Sequence, residues 1–253
     1  MARHDQAGFR RGCVVTRQAD YERDGVRLYC GDAAEMLRGL PAGSIDAIIT
    51  DPPYSINTKS DGDGKLNPWG DLCNAALFYR EWIAECRRVL RPNGCLWSFL
   101  SWRSLATFQK AACDLRWPIE SLLVWDKEWI GPGGSIGLRP SYEMVALWAM
   151  PEFAVPNRGL ADIQRFKWCG QKPTGHPAEK PLALIDWLIR ASGKTDPAIV
   201  CDPFSGSGTT AIAARRLGLS FVGSEIDESW AAASVRRIDG ELKQGKLFGG
   251  GAS

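Results

Sequence analysis

Val200-Cys201-Asp202-Pro203-Phe204-Ser205-Gly206-Ser207-Gly208-Thr209-Thr210 is the stretch whose reading decides the fold. An apolar run ending in a carboxylate enters a turn of serines and glycines, and a helical pattern opens at Thr209. Small residues let backbone approach a ligand closely, and the N–H groups of a helix start point toward it. Two nucleotide-site templates fail here. A P-loop ends in Lys-Ser/Thr, whereas this turn ends Gly208-Thr209-Thr210, and a dinucleotide fingerprint needs a third glycine where Ala211 stands. Glu225 follows the next strand, Ser220–Gly223, and in doubly wound folds a carboxylate at that place hydrogen-bonds ribose hydroxyls.

Outward from this turn, short apolar runs alternate with helical periodicity. Val26–Cys30, Ser44–Thr50, Cys95–Leu100, Ile119–Trp125, Met144–Met150 and Ala198–Cys201 read as strands. Asp32–Leu40, Asn74–Leu90, Trp102–Cys113, Pro181–Ser192, Thr209–Leu217 and a stretch from near Asp227 read as helices. Apolar strands alternating with helices predict an α/β fold, a doubly wound and mostly parallel sheet covered on both faces. Two segments break the pattern. Ser55–Asp71 carries turn signals throughout and reads as a long loop, and prolines at 151, 156, 173, 177 and 181 interrupt a stretch of basic and aromatic residues.

Composition limits the function classes. The 253 residues are 45% hydrophobic and 24% charged, which excludes a disordered or fibrous chain and allows one well-buried core. With 31 Lys+Arg against 29 Asp+Glu the net charge is only +2, so a surface for a polyanion has to be local. The 8 cysteines form no C-x-x-C pair and only 2 histidines are present, so free thiols are expected and no metal site. No apolar run is long enough to span a bilayer, and the expected location is the cytoplasm, without a membrane segment. Trp82, Trp97, Trp102, Trp125, Trp148 and Trp187 fall at helix or strand spacing and are expected in the core.

The second informative segment is Ile48-Ile49-Thr50-Asp51-Pro52-Pro53-Tyr54. It places a carboxylate at the carboxyl end of a strand, followed by two prolines with free carbonyls and an aromatic ring. Such a group can accept hydrogen bonds from an exocyclic amine through Asp51 and a proline carbonyl while Tyr54 stacks on the base, which suits an enzyme acting on a flipped base. In isolation the same residues also describe a Pro-rich turn with an Asp cap. A nucleoside cofactor held without a phosphate cradle, such as S-adenosylmethionine, fits the Ser/Gly turn and Glu225 together.

Asp51-Pro52-Pro53-Tyr54 followed far downstream by Asp202-Pro203-Phe204-Ser205-Gly206-Ser207-Gly208-Thr209-Thr210 resembles the β-class DNA amino-methyltransferases, in which the catalytic motif precedes the cofactor motif. Cys30-Gly31-Asp32, Trp125-Asp126-Lys127, Tyr142-Glu143, His176-Pro177-Ala178-Glu179-Lys180-Pro181 and Gly223-Ser224-Glu225-Ile226-Asp227 match further family motifs in order. Ala178 and Glu179 depart from the more usual Thr and Gln, and Ser224 from an aliphatic residue. The resemblance implies a Rossmann-like methyltransferase fold, circularly permuted, with a short irregular target-recognition insertion. Its expected parts are an N-terminal extension (1–25), a catalytic half (26–150), a target-recognition segment (151–175), a cofactor half (176–240) and a flexible tail (241–253).

The implied activity is methyl transfer from S-adenosylmethionine to an exocyclic amine of double-stranded DNA, with Asp51, Pro52, Pro53 and Tyr54 catalytic. Asp32, His176, Lys180, Pro181, Asp202, Phe204, Ser205, Gly206, Ser207, Gly208, Thr209 and Glu225 are the expected cofactor residues. Lys59, Lys65, Arg139, Arg158, Arg165, Lys167, Trp168 and Lys172 are the expected DNA-binding residues, the basic ones for phosphates and Trp168 for a base or a core contact. A homodimer, as several relatives form, is a further expectation. The Asp51 form of the motif resembles enzymes of adenine N6, whereas cytosine N4 enzymes more often carry Ser. Cytosine C5 chemistry needs a thiolate, typically after a proline, and no cysteine here follows one. The alternatives from other classes are a catalytically silent DNA-binding subunit on the same fold and an ATPase, which would lack its P-loop lysine.

Overall fold

The structure is a computed structural model and describes residues 18–53, 72–131, 136–168, 175 and 179–248. The elements are β1 (Tyr21–Arg23), β2 (Val26–Cys30), α1 (Ala33–Gly39), β3 (Ile45–Thr50), α2 (Leu72–Val89), β4 (Leu90–Leu100), α3 (Leu105–Asp114) and β5 (Ser121–Asp126). They continue as β6 (Tyr142–Ala149), β7 (Ile163–Arg165), α4 (Leu182–Ala191), β8 (Ile199–Asp202), α5 (Thr209–Arg216), β9 (Ser220–Glu225) and α6 (Glu228–Phe248).

Among the described residues the strands form one nine-stranded sheet, ordered β1-β2-β9-β8-β3-β4-β6-β5-β7. The run β2-β9-β8-β3-β4 is parallel throughout. β6 is antiparallel to both neighbours, and β1 is antiparallel to β2. The doubly wound, mostly parallel α/β sheet of the sequence reading is therefore the observed fold.

Every residue of β3 is buried, as a central strand with helices on both sides requires. Its side chains alternate between two cores. Ala47 and Ile49 pack with Leu184, Leu188 and Ala213 of α4 and α5, while Ile48 packs with Leu37, Trp82 and Phe108 of α1, α2 and α3. β3 and β8 lie side by side although the chain reaches them far apart, and it leaves them toward opposite edges of the sheet. That is a topological switch point, where open α/β sheets leave a crevice beyond the carboxyl ends of the strands. β5 and β7 run in the same sense as β3, and β6 starts at the edge where they end. The ends of β3, β8, β9, β5 and β7 and the start of β6 thus share one rim.

Several expected boundaries need correction. β1 belongs to the sheet, inside the stretch read as an N-terminal extension, because Tyr21–Arg23 pairs with β2. The 151–175 segment is not wholly irregular: Ile163–Arg165 adds β7 in parallel to β5. α6 runs to Phe248, so residues 241–248 are helical. Trp102 is 59% exposed beneath the Arg103 guanidinium, whereas Trp82, Trp97, Trp125 and Trp148 are buried. Five cysteines among the described residues are free thiols. No helix among the described residues is long and apolar enough to cross a membrane.

Ile48 is fully buried between β3 and the α1–α3 layer. Ile48→Ala should lower stability by about 2–5 kcal/mol through lost burial and a residual cavity, read as a drop in the urea midpoint at unchanged m-value.

Candidate active site

A cavity of about 610 Å³ opens at the switch point. Its walls come from both halves of the chain: Asp32, Asp51, Pro52 and Pro53 from the first, and Lys180, Phe204, Ser205 and Glu225 from the second. The sequence-expected residues Asp202, Gly206, Ser207 and Thr209 line it as well.

Asp202 joins the halves. Its Oδ1 accepts from the Thr50 hydroxyl at 2.7 Å and from the Phe204 N–H at 3.1 Å, and its Oδ2 accepts from the Thr210 hydroxyl at 2.6 Å. Burial raises its carboxyl to about 6 against the lowering effect of those donors. Asp202 borders the cavity, and both its oxygens accept from protein donors, which makes it a cross-link between the two halves.

The turn that follows is shaped by backbone. Gly208 has φ +79°, and a Cβ there would sit 2.3 Å from Ser234 Oγ, so glycine is required on both counts. Gly208 does not line the cavity, and it serves as the cap of α5. Glu225 accepts from Gly206 N–H through Oε2 and from Asp227 N–H through Oε1, both at 2.9 Å. These bonds aim the carboxylate along the cavity wall. Asp32 likewise caps α1 through Ala34 and Glu35 N–H while bordering the cavity. Ser205 Oγ is buried with no hydrogen-bond partner among the described residues, a polar group left for a ligand. Pro181 caps α4 with its carbonyl and stands outside the cavity lining.

Asp51 follows β3 on the same rim. Lys180 Nζ lies 2.5 Å from Asp51 Oδ2 and 3.4 Å from Glu143 Oε2, and Lys127 Nζ lies 2.7 Å from Glu143 Oε1. Four alternating charges thus run across the ends of β3, β6 and β5. Burial raises the Asp51 carboxyl above the usual carboxylate range even though Lys180 pulls it down. Burial acts the same way on Glu143, but Lys180 and Lys127 together outweigh it and hold that carboxyl low. Asp51 Oδ1 is buried and has no hydrogen-bond partner among the described residues. The Tyr79 hydroxyl donates to the Pro53 carbonyl at 3.2 Å, which fixes the proline pair to α2.

The expected DNA-binding residues divide. Arg158, Arg165 and Lys167 are exposed, and Arg165 is only loosely paired with Asp126 at 3.4 Å. Arg165 and Lys167 stand at the end of β7, on the rim that carries Asp51. Arg139 is exposed, and its guanidinium donates to the carbonyls of Gly131 and Ile130. The aromatics of the 151–175 segment turn inward: Phe153, Phe166 and Trp168 pack against the core, and Trp168 stacks on Trp129 at 4.5 Å. Tyr54, Lys59, Lys65, Lys172 and His176 lie outside the described residues.

Sequence reasoning missed three participants. Glu143 and Lys127 fall in quoted motifs, yet nothing local links them to Asp51. Arg237, on α6, donates to Ser207 O, Ser207 Oγ and Thr209 Oγ1 and pairs with Glu179 at 3.0 Å. Its only sequence signal is a basic residue on the inner face of the last helix.

Residues 45–236 match the family model described as DNA methylase. The chain is 29% identical over 243 residues to the type II methyltransferase M.HpaI of Haemophilus parainfluenzae, covering 85% of this chain and 75% of that one. It superposes on the crystal structure of an M1.HpyAVI–SAM complex with TM-score 0.62 and 25% identity, over 84% of this chain and 99% of that one. The PvuII DNA methyltransferase, described as cytosine-N4-specific, shares the fold at TM-score 0.68 and 16% identity, over 90% of this chain and 94% of that one.

The buried Asp202 carboxyl sets a pH signature on stability. Its folded-state value of about 6 lies above the ordinary 3.8, so its contribution is complete below about pH 4 and is lost as pH rises through 6. The loss is on the order of 3 kcal/mol. Asp202→Asn, neutral at every pH, should gain on the wild type between pH 4 and 7 whatever its offset at low pH. Urea midpoints measured across that range check this, and parallel curves would contradict it.

Proposed function

Because the chain belongs to the N6/N4 DNA methylase family, we propose that its cavity carries methyl transfer to the exocyclic N6 of adenine in double-stranded DNA, the base being flipped out of the helix. The enzyme is an S-adenosylmethionine-dependent DNA methyltransferase. The residues present fit that cofactor. Glu225 suits ribose hydroxyls, Ser205 Oγ is a buried polar group in need of a partner, and Gly206 and Ser207 of the turn border the cavity. Glu225, Asp32, Ser205 and Phe204 would hold the cofactor, which when bound supplies an electrophilic methyl group.

The observation that carries the reading is Asp51 Oδ1, buried at the cavity wall and unpartnered among the described residues. A buried acceptor without a donor costs free energy until a ligand N–H arrives. An exocyclic amine is a weak nucleophile because its lone pair is delocalised into the ring. Accepting its N–H bonds on Asp51 Oδ1 and the Pro52 carbonyl draws the nitrogen toward tetrahedral geometry and fixes its direction of attack. This is catalysis by positioning and electrostatics. Pro53 takes a supporting part, since its carbonyl already accepts from Tyr79. Adenine is favoured over cytosine by the Asp at position 51, where Ser is the more usual residue in cytosine N4 enzymes. The exposed Arg165 and Lys167 on the same rim are proposed to meet DNA phosphates.

Three measurements test the reading. Asp51→Ala should abolish methyl transfer to unmodified DNA while cofactor binding by calorimetry persists; retained turnover defeats the assignment. Base-resolved mapping of DNA methylated in cells lacking modification should place the methyl group on adenine N6, and a signal on cytosine N4 would correct the base. Arg165→Ala and Lys167→Ala should each weaken binding to all sequences alike and lower the log–log salt slope by about 1.

A further inference from the structure

The motif carrying Lys180 points to the cofactor, while its ammonium meets the Asp51 carboxylate in the wall of the same cavity. Lys180 Nζ contacts Asp51 Oδ2 at 2.5 Å and Glu143 Oε2 at 3.4 Å, lies 4.8 Å from the centre of the Phe99 ring, and is 10% exposed. A buried ammonium in that setting neutralises one carboxylate fully and leans on the second. The remaining charges around it are accounted for. Glu143 is held from its other side by Lys127, whose own side chain is 12% exposed and lies beside the Trp125 ring. Glu179, next to Lys180 in sequence, is turned to Arg237. Asp202 repels the Asp51 charge but gives its own oxygens to Thr50, Thr210 and Phe204.

We infer that Lys180 is a positioning residue for methyl transfer: oriented by Glu143, it ties down Oδ2 of Asp51 and keeps that carboxylate charged, with Oδ1 presented to the incoming amine. The inference rests on the proposed role of Asp51. It assigns Lys180 to the base-binding side of the cavity, and it gives Glu143 and Lys127 a common purpose. Without the ammonium, Asp51 sits buried beside the charge of Glu143 with only the more distant Lys127 to offset desolvation, and it takes up a proton more readily. A protonated Asp51 presents a hydroxyl where the amine needs an acceptor, and its orientation is no longer fixed by an ion pair.

The test is methyl transfer from S-adenosylmethionine to unmodified DNA by the full chain and by Lys180→Met, Lys180→Arg and Glu143→Gln, each followed from pH 5 to 9. Lys180→Met should lose about 100-fold in kcat at neutral pH. Its acid limb should move up by about one pH unit or more, so that part of the rate returns at high pH. Its affinity for the cofactor, measured by calorimetry, should match the wild type. Lys180→Arg should recover much of the rate and the original limb, and Glu143→Gln should fall between in rate with its acid limb at or below that of the wild type, because the Glu143 charge raises the Asp51 carboxyl. Should Lys180→Met not fold, the arginine and glutamine variants still decide: both keep a cation beside Asp51, so an acid limb moved up in either overturns the inference. Loss of cofactor affinity in step with rate, or an unmoved pH limb, overturns the inference while wild-type turnover leaves the Asp51 reading standing. A wild type that transfers no methyl group to DNA defeats that reading and the inference together.

Discussion

The hydrogen bond from the Thr50 hydroxyl to Asp202 is the constraint from which the site follows. It spans β3 and β8, neighbours in the sheet whose sequences lie at opposite ends of the described chain. Thr50 is the last residue before the Asp-Pro-Pro segment, and Asp202 is the last before the Ser/Gly turn. One buried carboxylate therefore sets the distance between the group proposed to hold the base and the groups proposed to hold the cofactor. In-line transfer tolerates little error in that distance, and a rigid sheet with a buried cross-link is the means of fixing it. Burial raises the Asp202 carboxyl to about 6, and the two threonine hydroxyls and one N–H that donate to it favour its charged form and orient it.

The rim explains why residues from six segments converge without any sequence pattern joining them. Parallel strands deliver their carboxyl ends to one edge, so Asp51, Asp202 and Glu225 arrive together by topology alone. β6 runs the opposite way and contributes its first residues, which is how Glu143 comes to face Lys180. β5 brings Lys127 and β7 brings Arg165 to the same edge. The placement of the proposed catalytic and basic residues is thus a consequence of strand direction, and a net charge of only +2 is no obstacle to a local cationic border.

Much of this was legible in the sequence, and the parts that were not share physical causes. Strands such as Ile45–Thr50 announce themselves because burial on both faces demands a largely apolar run, here broken only by Asp46 and Thr50. Ile163-Gln164-Arg165 does not, because an edge strand with Ile163 60% exposed needs no such run. The Ser/Gly turn and Glu225 were readable since backbone conformation restricts residue choice there. The contact of Lys180 with Asp51 was not legible, because a motif records which residues occur together but not where a long, flexible side chain reaches. Glu143 and Arg237 act through partners distant in sequence, and no local pattern encodes such pairing.

The two departures from the family pattern show how such distant pairing works. Glu179 is 4% exposed, and a carboxylate that deeply buried needs a cation more than the usual glutamine would. Arg237 supplies it from α6, and its remaining N–H groups reach Ser207 and Thr209, so the ion pair also clamps the Ser/Gly turn. Ser224, where an aliphatic residue is common, is fully buried, and its hydroxyl donates to the Pro203 carbonyl at 2.7 Å. The Ser224 carbonyl in turn accepts from the Ser205 N–H at 2.8 Å. Ser224 thus bonds the turn directly, and Glu179 acts on it through Arg237, one from each side. The backbone around Gly206 is held by side chains of α6 and β9 as well as by its own conformation, and the cofactor wall gains in rigidity what the motif loses in likeness.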